Sequence, residues 1–284
     1  MKNIENRLKQ EAKRLLGSGE VEVLLAYGRG YDEKHPMPYT AKAVSDVDNI
    51  VFNEYCTFNM TRYLTEYPLG TKIAIAVKSC DSRALIVLMQ EEKVKREDIV
   101  ILGISYRDMI DSKTGKAIDN STACNLANPV LYDILLGDEI PERDDGSPYD
   151  VLKELEEMEL DARWEFWSKE FSKCIRCYAC RKACPMCYCD PCFIDQSQPR
   201  WADKSPSLES NLMFHLTRFY HLAGRCIDCG ECSRACPMDI PLHLFHKKVS
   251  KECEEMFDQA SGMSLDDKQV MVDFKMEDSD EILL

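Results

Sequence analysis

The first half of the chain shows helical and strand-like patterns of apolar residues in turn. Apolar side chains at positions 4, 8, 12 and 15 fall on one face of a helix. Continuous apolar runs follow at Val21 to Tyr27, Thr71 to Lys78 and Asp98 to Tyr106, and the last two flank the periodic segment SRALIVLMQEE. Strand, helix and strand in this order make a crossover between parallel strands. Residues 1–145 are therefore predicted to form an α/β domain with a partly parallel sheet.

A connecting helix is predicted over residues 146–172. Ser147-Pro148 places a capping residue before a proline, the usual start of a helix. The apolar positions that follow are Leu152, Leu155, Trp164, Trp167 and Phe171. Two interpretations stay open, a connector that docks the first domain on a second one and a core helix of the first domain.

Residues 173–257 are rich in cysteine and predict helices rather than hairpins. Helical spacing relates Leu212, Leu216, Phe219 and Leu222, and Gly224 then ends the segment. A second face comprises Leu242, Phe245, Val249, Cys253 and Met256, which makes Cys253 a buried apolar residue. Residues 258–284 contain eight acidic and two basic side chains and predict an acidic tail or a partner-binding arm. The alternation of Val270, Val272 and Phe274 favours the arm.

Composition limits the function classes. The chain has 284 residues with 50 acidic and 36 basic side chains, and its net charge of −14 argues against a nucleic-acid partner. No stretch of about 18 apolar residues predicts a membrane span, and the first residues do not have the pattern of a signal peptide. A cytoplasmic location is expected. Because thiols stay reduced there, the fifteen cysteines favour metal binding over disulfides.

Eight cysteines form two copies of the spacing C-x2-C-x2-C-x3-C-P. The copies are Cys174, Cys177, Cys180 and Cys184, then Cys226, Cys229, Cys232 and Cys236. With this spacing the fourth cysteine of each copy ligates the other cluster. One [4Fe-4S] cluster is therefore assigned to Cys174, Cys177, Cys180 and Cys236, and a second to Cys226, Cys229, Cys232 and Cys184. Structural zinc needs two ligand pairs around one ion and fits this pattern less well.

Three further cysteines, Cys187, Cys189 and Cys192, follow the first copy with the spacing C-x-C-x2-C. A third cluster, a zinc or structural thiol group, and no metal at all stay open for them. A fourth ligand would come from Cys56, Cys80 or Cys124. Cys80 falls where a strand ends and a helix begins, and this position lowers the pKa of a thiol and suits a ligand or a nucleophile. A partly buried turn cysteine is the alternative.

A flavin site is a further hypothesis for the first domain. The loops Gly28 to Gly30 and Lys78 to Ser82 each follow a predicted strand, so Gly28, Gly30, Lys78, Ser79 and Ser82 are candidate FAD-binding residues. No G-x-G-x-x-G or P-loop pattern is present.

Basic side chains also crowd the first cysteine motif, namely Lys173, Arg176, Arg181 and Lys182. They predict redox tuning, a docking patch for an acidic partner, or an ordinary solvated surface.

Two stretches, CIRCYACRKACPMCYC and FHLTRFYHLAGRCIDCGECSRACPMDIPL, resemble the α-helical ferredoxin type of two-cluster domain found in heterodisulfide reductase small subunits. The segments AVKSCDSRALIVLMQEEKVKREDIVILGI and ACNLANPVLYDILLGDE resemble the β-subunit family of deazaflavin-coenzyme-reducing hydrogenases and formate dehydrogenases. The resemblance covers roughly residues 20–257. It implies an additional cluster near an FAD, with Cys80 and Cys124 matching family ligands. STAC has one cysteine where a C-x2-C pair is expected, and Cys187, Cys189 and Cys192 are candidates to replace the missing ligands.

The resemblance also implies a function, an electron-transfer subunit of an anaerobic multi-subunit oxidoreductase. Its partners would be a formate-, hydrogen- or NAD(P)H-oxidising module and a heterodisulfide-reductase-like flavoprotein, with electron bifurcation in some assemblies. The chain would relay single electrons without turning over a substrate alone. The alternative is an FAD-containing iron–sulfur enzyme that oxidises or reduces a soluble coenzyme in its α/β domain.

Overall fold

The computed structural model describes residues 1–107, 109–118, 126–141, 146–270, 272 and 276. The chain divides into two compact units. The first unit comprises Met1–Asp145 together with Gly262–Asp267, and the second comprises Gly146–Ser261 together with the chain from Lys268. Within the described residues, no helix combines the length and the apolar composition that a membrane span requires.

The first unit is built on a five-stranded mixed sheet. Its strands are β1 (Val23–Gly28), β2 (Met37–Ala41), β3 (Ile73–Val77), β4 (Ile99–Gly103) and β5 (Ile134–Leu135). Their order in the sheet is β2-β1-β3-β4-β5. β2 is antiparallel to β1, and all other neighbours are parallel. The predicted partly parallel sheet is therefore confirmed.

The central strands are buried because their sequences are apolar throughout. Every residue of β1 and β3 is buried, as expected for parallel strands covered on both faces. Helix α1 (Lys2–Ser18) buries Leu8, Ala12 and Leu15, three of the four positions of the predicted face. Helix α2 (Ser79–Gln90) makes the predicted crossover from β3 to β4.

Asp81 fixes the start of α2. Its carboxylate accepts hydrogen bonds from the main-chain N–H of Lys78, at 2.8 Å, and from that of Met60, at 2.9 Å. The Lys78 ammonium lies 2.9 Å from the same carboxylate, so an ion pair sealed from solvent ties the end of β3 to the first turn of α2. Short 3-10 helices at Val44–Asn49, Met60–Glu66 and Arg96–Asp98 complete the connections of the unit.

The second unit is helical in its described part. Its helices are α3 (Lys153–Glu157), α4 (Leu160–Ser172), α5 (Ala179–Ala183), α6 (Leu208–His221), α7 (Glu231–Arg234) and α8 (Leu242–Phe257), and a 3-10 turn at Asp150–Leu152 precedes them. The helix expected across 146–172 is divided, because Met158 and Glu159 have extended backbone angles. Trp164 and Leu160 are exposed on α4, whereas Phe171 is buried.

The residues after α8 are divided between the two units. Residues 262–267 group with the first unit, where Gln90 donates to the carbonyl oxygens of Ser264 and Asp267. Val270 is buried in the second unit beside Val249 and Cys253, and Val272 is exposed. The predicted alternation is only partly described, since Phe274 lies outside the described residues. The described residues of this segment contain no strand.

Candidate iron–sulfur centre

The two cysteine motifs have the same backbone conformation. Arg176 and Asp228, each two residues after the first cysteine of its motif, have φ angles of 57° and 55°. Tyr178 and Gly230, two residues further on, have φ angles of 61° and 72°. Each loop then enters a short helix, α5 in the first motif and α7 in the second. The sequence repeat is thus also a structural repeat, with a left-handed residue between each pair of the first three cysteines.

Thiols of the first motif lie beside the last cysteine of the second motif. Burial raises the pKa of Cys180 to about 11, and the charges of Cys174 and Cys236 act in the same direction. Burial likewise raises the pKa of Cys174, with further contributions from Cys236 and Cys177. Cys236 therefore interacts with Cys174 and Cys180, although 62 positions separate it from Cys174 in sequence.

The last cysteine of the first motif interacts in turn with a cysteine of the second motif. Cys184, the last cysteine of the first motif, lies close enough to Cys229 for the charge of Cys229 to contribute to its raised pKa, after a hydrogen bond with Cys187 and burial. Burial also raises the pKa of Cys232 to about 12, and Cys226 adds to the effect. The assignment of the cysteines to two exchanged ligand sets stays a prediction, and these interactions are consistent with it.

A cavity marks the second set of ligands. The cavity is lined by Cys184, Cys226, Cys229 and Cys232, which are the four cysteines assigned to one cluster. Its other lining residues include Arg218, His243 and His246. Four thiols around one space, with a buried guanidinium beside them, fit a thiolate-ligated cluster that carries negative charge. Within the described residues, no three His, Cys, Asp or Glu side chains gather at the spacing of a single metal ion.

An apolar and aromatic shell surrounds the first set of ligands. Phe171, Phe214, Ile194, Ile240 and Leu242 are buried together with Cys180 and Cys236. Trp167 and Phe245 pack against this shell, and Phe245 contacts the ring of Phe171 with centroids 5.2 Å apart. Such packing keeps water from Cys180 and Cys236, whereas Cys177 is exposed, and solvent exposure is one of the factors that set cluster potentials.

Helix α6 turns a polar stripe toward the cysteines. Asn211 donates to the carbonyl oxygens of Phe171 and Cys174, both at 2.9 Å. His215 Nε2 lies 3.4 Å from Cys174 Sγ, and its ring stacks on Phe171. Burial lowers the pKa of His215 to about 3, so the imidazole is neutral at pH 7. Arg218, the third member of the stripe, is also buried.

Three buried nitrogen atoms near the thiols have no hydrogen-bond partner among the described residues. They are His215 Nδ1, Arg218 Nε and His246 Nδ1. Burying polar groups without partners is costly, and burying a cation is more so unless an anion lies nearby. These residues therefore fit an anionic group held by the cysteines.

The sequence did not predict the orientation of α6. The helix predicted from the spacing of Leu212, Leu216, Phe219 and Leu222 is present, but these four residues differ in burial, since Leu222 is 2% exposed and Leu216 is 41% exposed. The buried positions within the helix include Asn211, Phe214, His215 and Arg218. The available signal was the i, i+4, i+7 spacing of the polar residues Asn211, His215 and Arg218, which places all three on one side of a helix.

The three remaining cysteines of the first motif region have different surroundings. A hydrogen bond with Cys184, reinforced by Arg218, lowers the pKa of the Cys187 thiol to about 5. Cys192 accepts a hydrogen bond from Arg181, and Cys189 is exposed.

Cys253 is buried in an apolar cluster, and this confirms its predicted role as an apolar residue.

The basic residues of the first motif are largely used inside their own unit. Arg176 is 6% exposed, donates to the carbonyl oxygens of Ser210 and Asp203, and lies over the Phe214 ring. Arg181 pairs with Asp195 at 2.7 Å, and Lys173 pairs with Glu170. Contacts of Arg176, Arg181 and Lys173 within their own unit therefore argue against a free cationic docking patch.

The two candidate flavin loops follow the neighbouring parallel strands β1 and β3. Both glycines of the first loop lie close to other residues of the chain. A Cβ at Gly28 would lie 2.7 Å from the Tyr39 side chain, and one at Gly30 would lie 1.7 Å from the carbonyl oxygen of His35. Lys78 is held by Tyr27, by Asp81 and by the carbonyl oxygen of Phe58. The Lys78 ammonium is therefore already paired within the chain, and the space beside the two glycines is filled, so these groups do not fit a pyrophosphate site.

The remaining candidate residues of the first unit also have internal roles. Ser82 Oγ donates to the carbonyl oxygen of Ser79, at 2.7 Å, and accepts from the N–H of Val130, at 2.8 Å. Burial raises the pKa of Cys56 to about 12. Cys80 is the second residue of α2 and is half-buried. Cys124 lies outside the described residues.

Comparison with known proteins matches residues 170–240 to the 4Fe-4S dicluster domain family. One relative is the F420-dependent formate dehydrogenase subunit beta of Methanocaldococcus jannaschii, 36% identical over 105 residues. This alignment covers 36% of the chain and 27% of the relative, so the chain matches about a quarter of that protein's length. The F420-dependent formate dehydrogenase 1 subunit beta of Methanococcus maripaludis is 23% identical over 341 aligned positions, which cover 86% of the chain and 87% of the relative.

The family match also accounts for the two loops of the second unit, because residues 170–240 contain all eight cysteines of the repeated motif. The match and the relatives confirm the resemblance predicted from the sequence. This chain is similar to the β-subunits of F420-dependent formate dehydrogenases, and near its C-terminus it contains a 4Fe-4S dicluster domain.

Proposed function

We propose that this chain is an electron-transfer subunit of a formate dehydrogenase complex and that its second unit binds two [4Fe-4S] clusters. The observation that carries the proposal is the placement of the cysteines: Cys236 is buried in one cluster with Cys180, against which Cys174 packs, and Cys184 lines one cavity with Cys229. Ligands exchanged between two motifs require the two sites to be neighbours. Neighbouring sites of this kind suit the passage of single electrons.

The ligands in this proposal are Cys174, Cys177, Cys180 and Cys236 for the first cluster, and Cys226, Cys229, Cys232 and Cys184 for the second. Such clusters supply one-electron oxidation and reduction when bound. The chain contributes the thiolates, the aromatic shell around Phe171 that excludes water, and hydrogen-bond donors near sulfur such as His215. Electron transfer of this kind needs no general acid or base.

The partners follow from the relatives' names and from the resemblance. A formate-oxidising module is the favoured donor, because both relatives are named as formate dehydrogenase subunits. A hydrogen- or NAD(P)H-oxidising module is the alternative donor. A heterodisulfide-reductase-like flavoprotein is the proposed acceptor, with electron bifurcation as a further property of the assembly. The proposed location is the cytoplasm.

A third cluster at Cys187, Cys189 and Cys192 stays a prediction. Cys187 interacts with Cys184, a proposed ligand of the second cluster, and Cys192 interacts with Arg181. The candidate fourth ligands Cys56, Cys80 and Cys124 belong to the first unit. An iron determination separates the alternatives, since two clusters contain about eight irons and three contain about twelve.

The experiment begins with anaerobic purification and with iron, acid-labile sulfide and flavin determination, together with electron paramagnetic resonance of the reduced protein. The double variants Cys177→Ala/Cys236→Ala and Cys229→Ala/Cys236→Ala then test the exchange of ligands. With exchanged ligands, the first double variant affects one site and keeps about four irons of the dicluster domain, whereas the second affects both sites and keeps none. Ligation within each motif predicts the opposite result.

Cys253→Ala is the matched control, because Cys253 is a buried cysteine of the same unit that packs among apolar residues. It should keep the full iron content. Turnover of formate or NADH with a dye by the purified chain alone would contradict the relay. Flavin bound in a one-to-one ratio would favour the enzyme alternative, against the closed contacts of the loops at Gly30 and Lys78.

A further inference from the structure

Arg218 is a buried cation in the middle of the cysteine sites. Its side chain projects from the buried side of α6, and the residue is 3% exposed. Nη1 donates to His246 Nε2 at 2.6 Å, and Nη2 donates to the carbonyl oxygen of Cys180 at 3.2 Å. Both acceptors are uncharged, because burial holds the pKa of His246 well below its usual range.

Two other cations of this unit have carboxylate partners, whereas buried Arg176 instead donates to two main-chain carbonyl oxygens and lies over the Phe214 ring. Lys247, which is fully buried, pairs with Asp228, and Arg234 pairs with Glu231 at 2.6 Å. Arg218 forms no salt bridge with an Asp or Glu among the described residues. A buried guanidinium without an anion would be costly to the fold. Its charge therefore has to be balanced by something other than a carboxylate.

The anions around Arg218 are cysteine sulfurs. The guanidinium forms a hydrogen bond with Cys187 and with the main chain of Cys180, and it lines one cavity together with Cys184 and Cys232. Cys180 belongs to the first proposed ligand set, and Cys184 and Cys232 belong to the second. Arg218 also lines the cavity that contains the second set. One guanidinium thus faces ligands of both sites.

We propose that Arg218 is a charge-compensating residue shared by the two clusters, and that its guanidinium stabilises the reduced state of each. This inference rests on the proposed function, because it requires both clusters to be present. Reduction adds one electron and one negative charge to a site, and a fixed positive charge nearby favours that state. The midpoint potential of each cluster is therefore higher in the wild-type chain than in a chain that lacks the Arg218 guanidinium.

The electron comes from the donor module and leaves to the acceptor, so Arg218 itself is neither oxidised nor reduced. A guanidinium stays protonated throughout the pH range in which proteins are folded. Arg218 therefore offsets the added charge without taking up or releasing a proton. His246 accepts one N–H of the guanidinium and the Cys180 carbonyl oxygen accepts another, and these two contacts fix the position of the charge.

The test compares Arg218→Gln and Arg218→Lys with the wild-type chain by redox titration under electron paramagnetic resonance. Arg163→Gln is the matched control, because Arg163 lies in the same unit and donates to the carbonyl oxygens of Glu156 and Met158. In Arg218→Gln, we expect each cluster to show a ratio of reduced to oxidised form about tenfold lower at a fixed applied potential. For a one-electron couple this corresponds to a shift of about 59 mV. Arg218→Lys should restore most of the shift, and Arg163→Gln should show none.

Each outcome decides the inference. Wild-type potentials in an iron-replete Arg218→Gln protein, or a shift confined to one cluster, would overturn it. If Arg218→Gln assembles no clusters while Arg218→Lys does, the requirement for charge is supported. If both variants fail alike, the shape of the guanidinium rather than its charge is required, and the inference is wrong. A wild-type chain that binds fewer than two clusters would refute the proposed function instead, before any variant is compared.

Discussion

At the scale of the residue, the contact between His215 and Cys174 has a measurable consequence. The neutral imidazole places Nε2 3.4 Å from Sγ, and its other nitrogen has no partner among the described residues. Sulfur of a thiolate ligand accepts hydrogen bonds, so the proton is expected on Nε2. Donors to ligand sulfur raise the potential of a cluster. His215→Phe should therefore lower the midpoint potential of the first cluster and leave that of the second unchanged.

Redox titration followed by electron paramagnetic resonance measures both potentials, and the signal lost in Cys177→Ala identifies the first cluster. His221→Phe is the control, because this substitution lies on the same helix at an exposed position, where the ring packs against Phe193. It should not change either potential. An equal shift of both clusters in His215→Phe would show that the hydrogen bond to Cys174 is not the cause.

At the scale of the element, the cysteine motifs and helix α6 show how far the sequence leads. Cysteine spacing predicts which ligands are exchanged, because a short loop and a short helix restrict where each thiol can lie. Helix α6 was predicted from its periodicity, but its orientation was not. The spacing of apolar residues such as Leu216 predicted a helix, but it did not predict that the polar residues His215 and Arg218 would be buried. The periodicity of apolar residues alone cannot predict which polar residues a bound charged group will bury.

Helices α3 and α8 are joined by one acidic residue. The Glu156 carboxylate accepts from Lys248 at 2.7 Å and from Lys251 at 2.7 Å. Hydrogen bonds from these two lysines lower the pKa of Glu156 from its usual value of 4.5. The stabilisation is therefore present above this pH and is lost as the pH falls through the lower folded-state value. Because the group is partly exposed, Glu156→Gln should lower the free energy of unfolding by only about 1 kcal/mol at pH 7.

Anaerobic denaturant unfolding measures the difference, and raising the salt concentration should reduce it because exposed ion pairs are screened. Glu157→Gln is the control at the next position, where the side chain is exposed. It removes the same charge from α3 without removing these contacts. Equal losses for Glu156→Gln and Glu157→Gln would mean that net charge, rather than the bridge to α8, determines the stability.

At the scale of the whole molecule, the sheet was more predictable than the path of the last residues. The runs around Ile73 to Val77 and Ile99 to Gly103 are continuous and apolar, so their burial and their crossover could be predicted. The return of residues 262–267 to the first unit was not, because polar contacts such as those of Gln90 leave no periodic signal. The acidic composition of residues 258–284 suggested a tail or an arm. In fact, the segment takes part in the fold at least as far as Val270.

Val270 shows most directly that residues after α8 take part in the fold. It is 7% exposed and packs with Val249 and Cys253, and a Cβ at Gly224 would lie 2.6 Å from its own Cβ. Removing its methyl groups leaves a gap beside these neighbours. Val270→Ala should therefore lower the free energy of unfolding by about 2 kcal/mol and speed the alkylation of Cys253, followed by peptide mapping. Val272→Ala, two positions later and 71% exposed, should change stability by less than about 0.5 kcal/mol and leave Cys253 protected. Equal, negligible effects of both substitutions would mean that Val270 does not contribute to the core of the second unit and that the chain beyond α8 behaves as the free arm that its composition suggests.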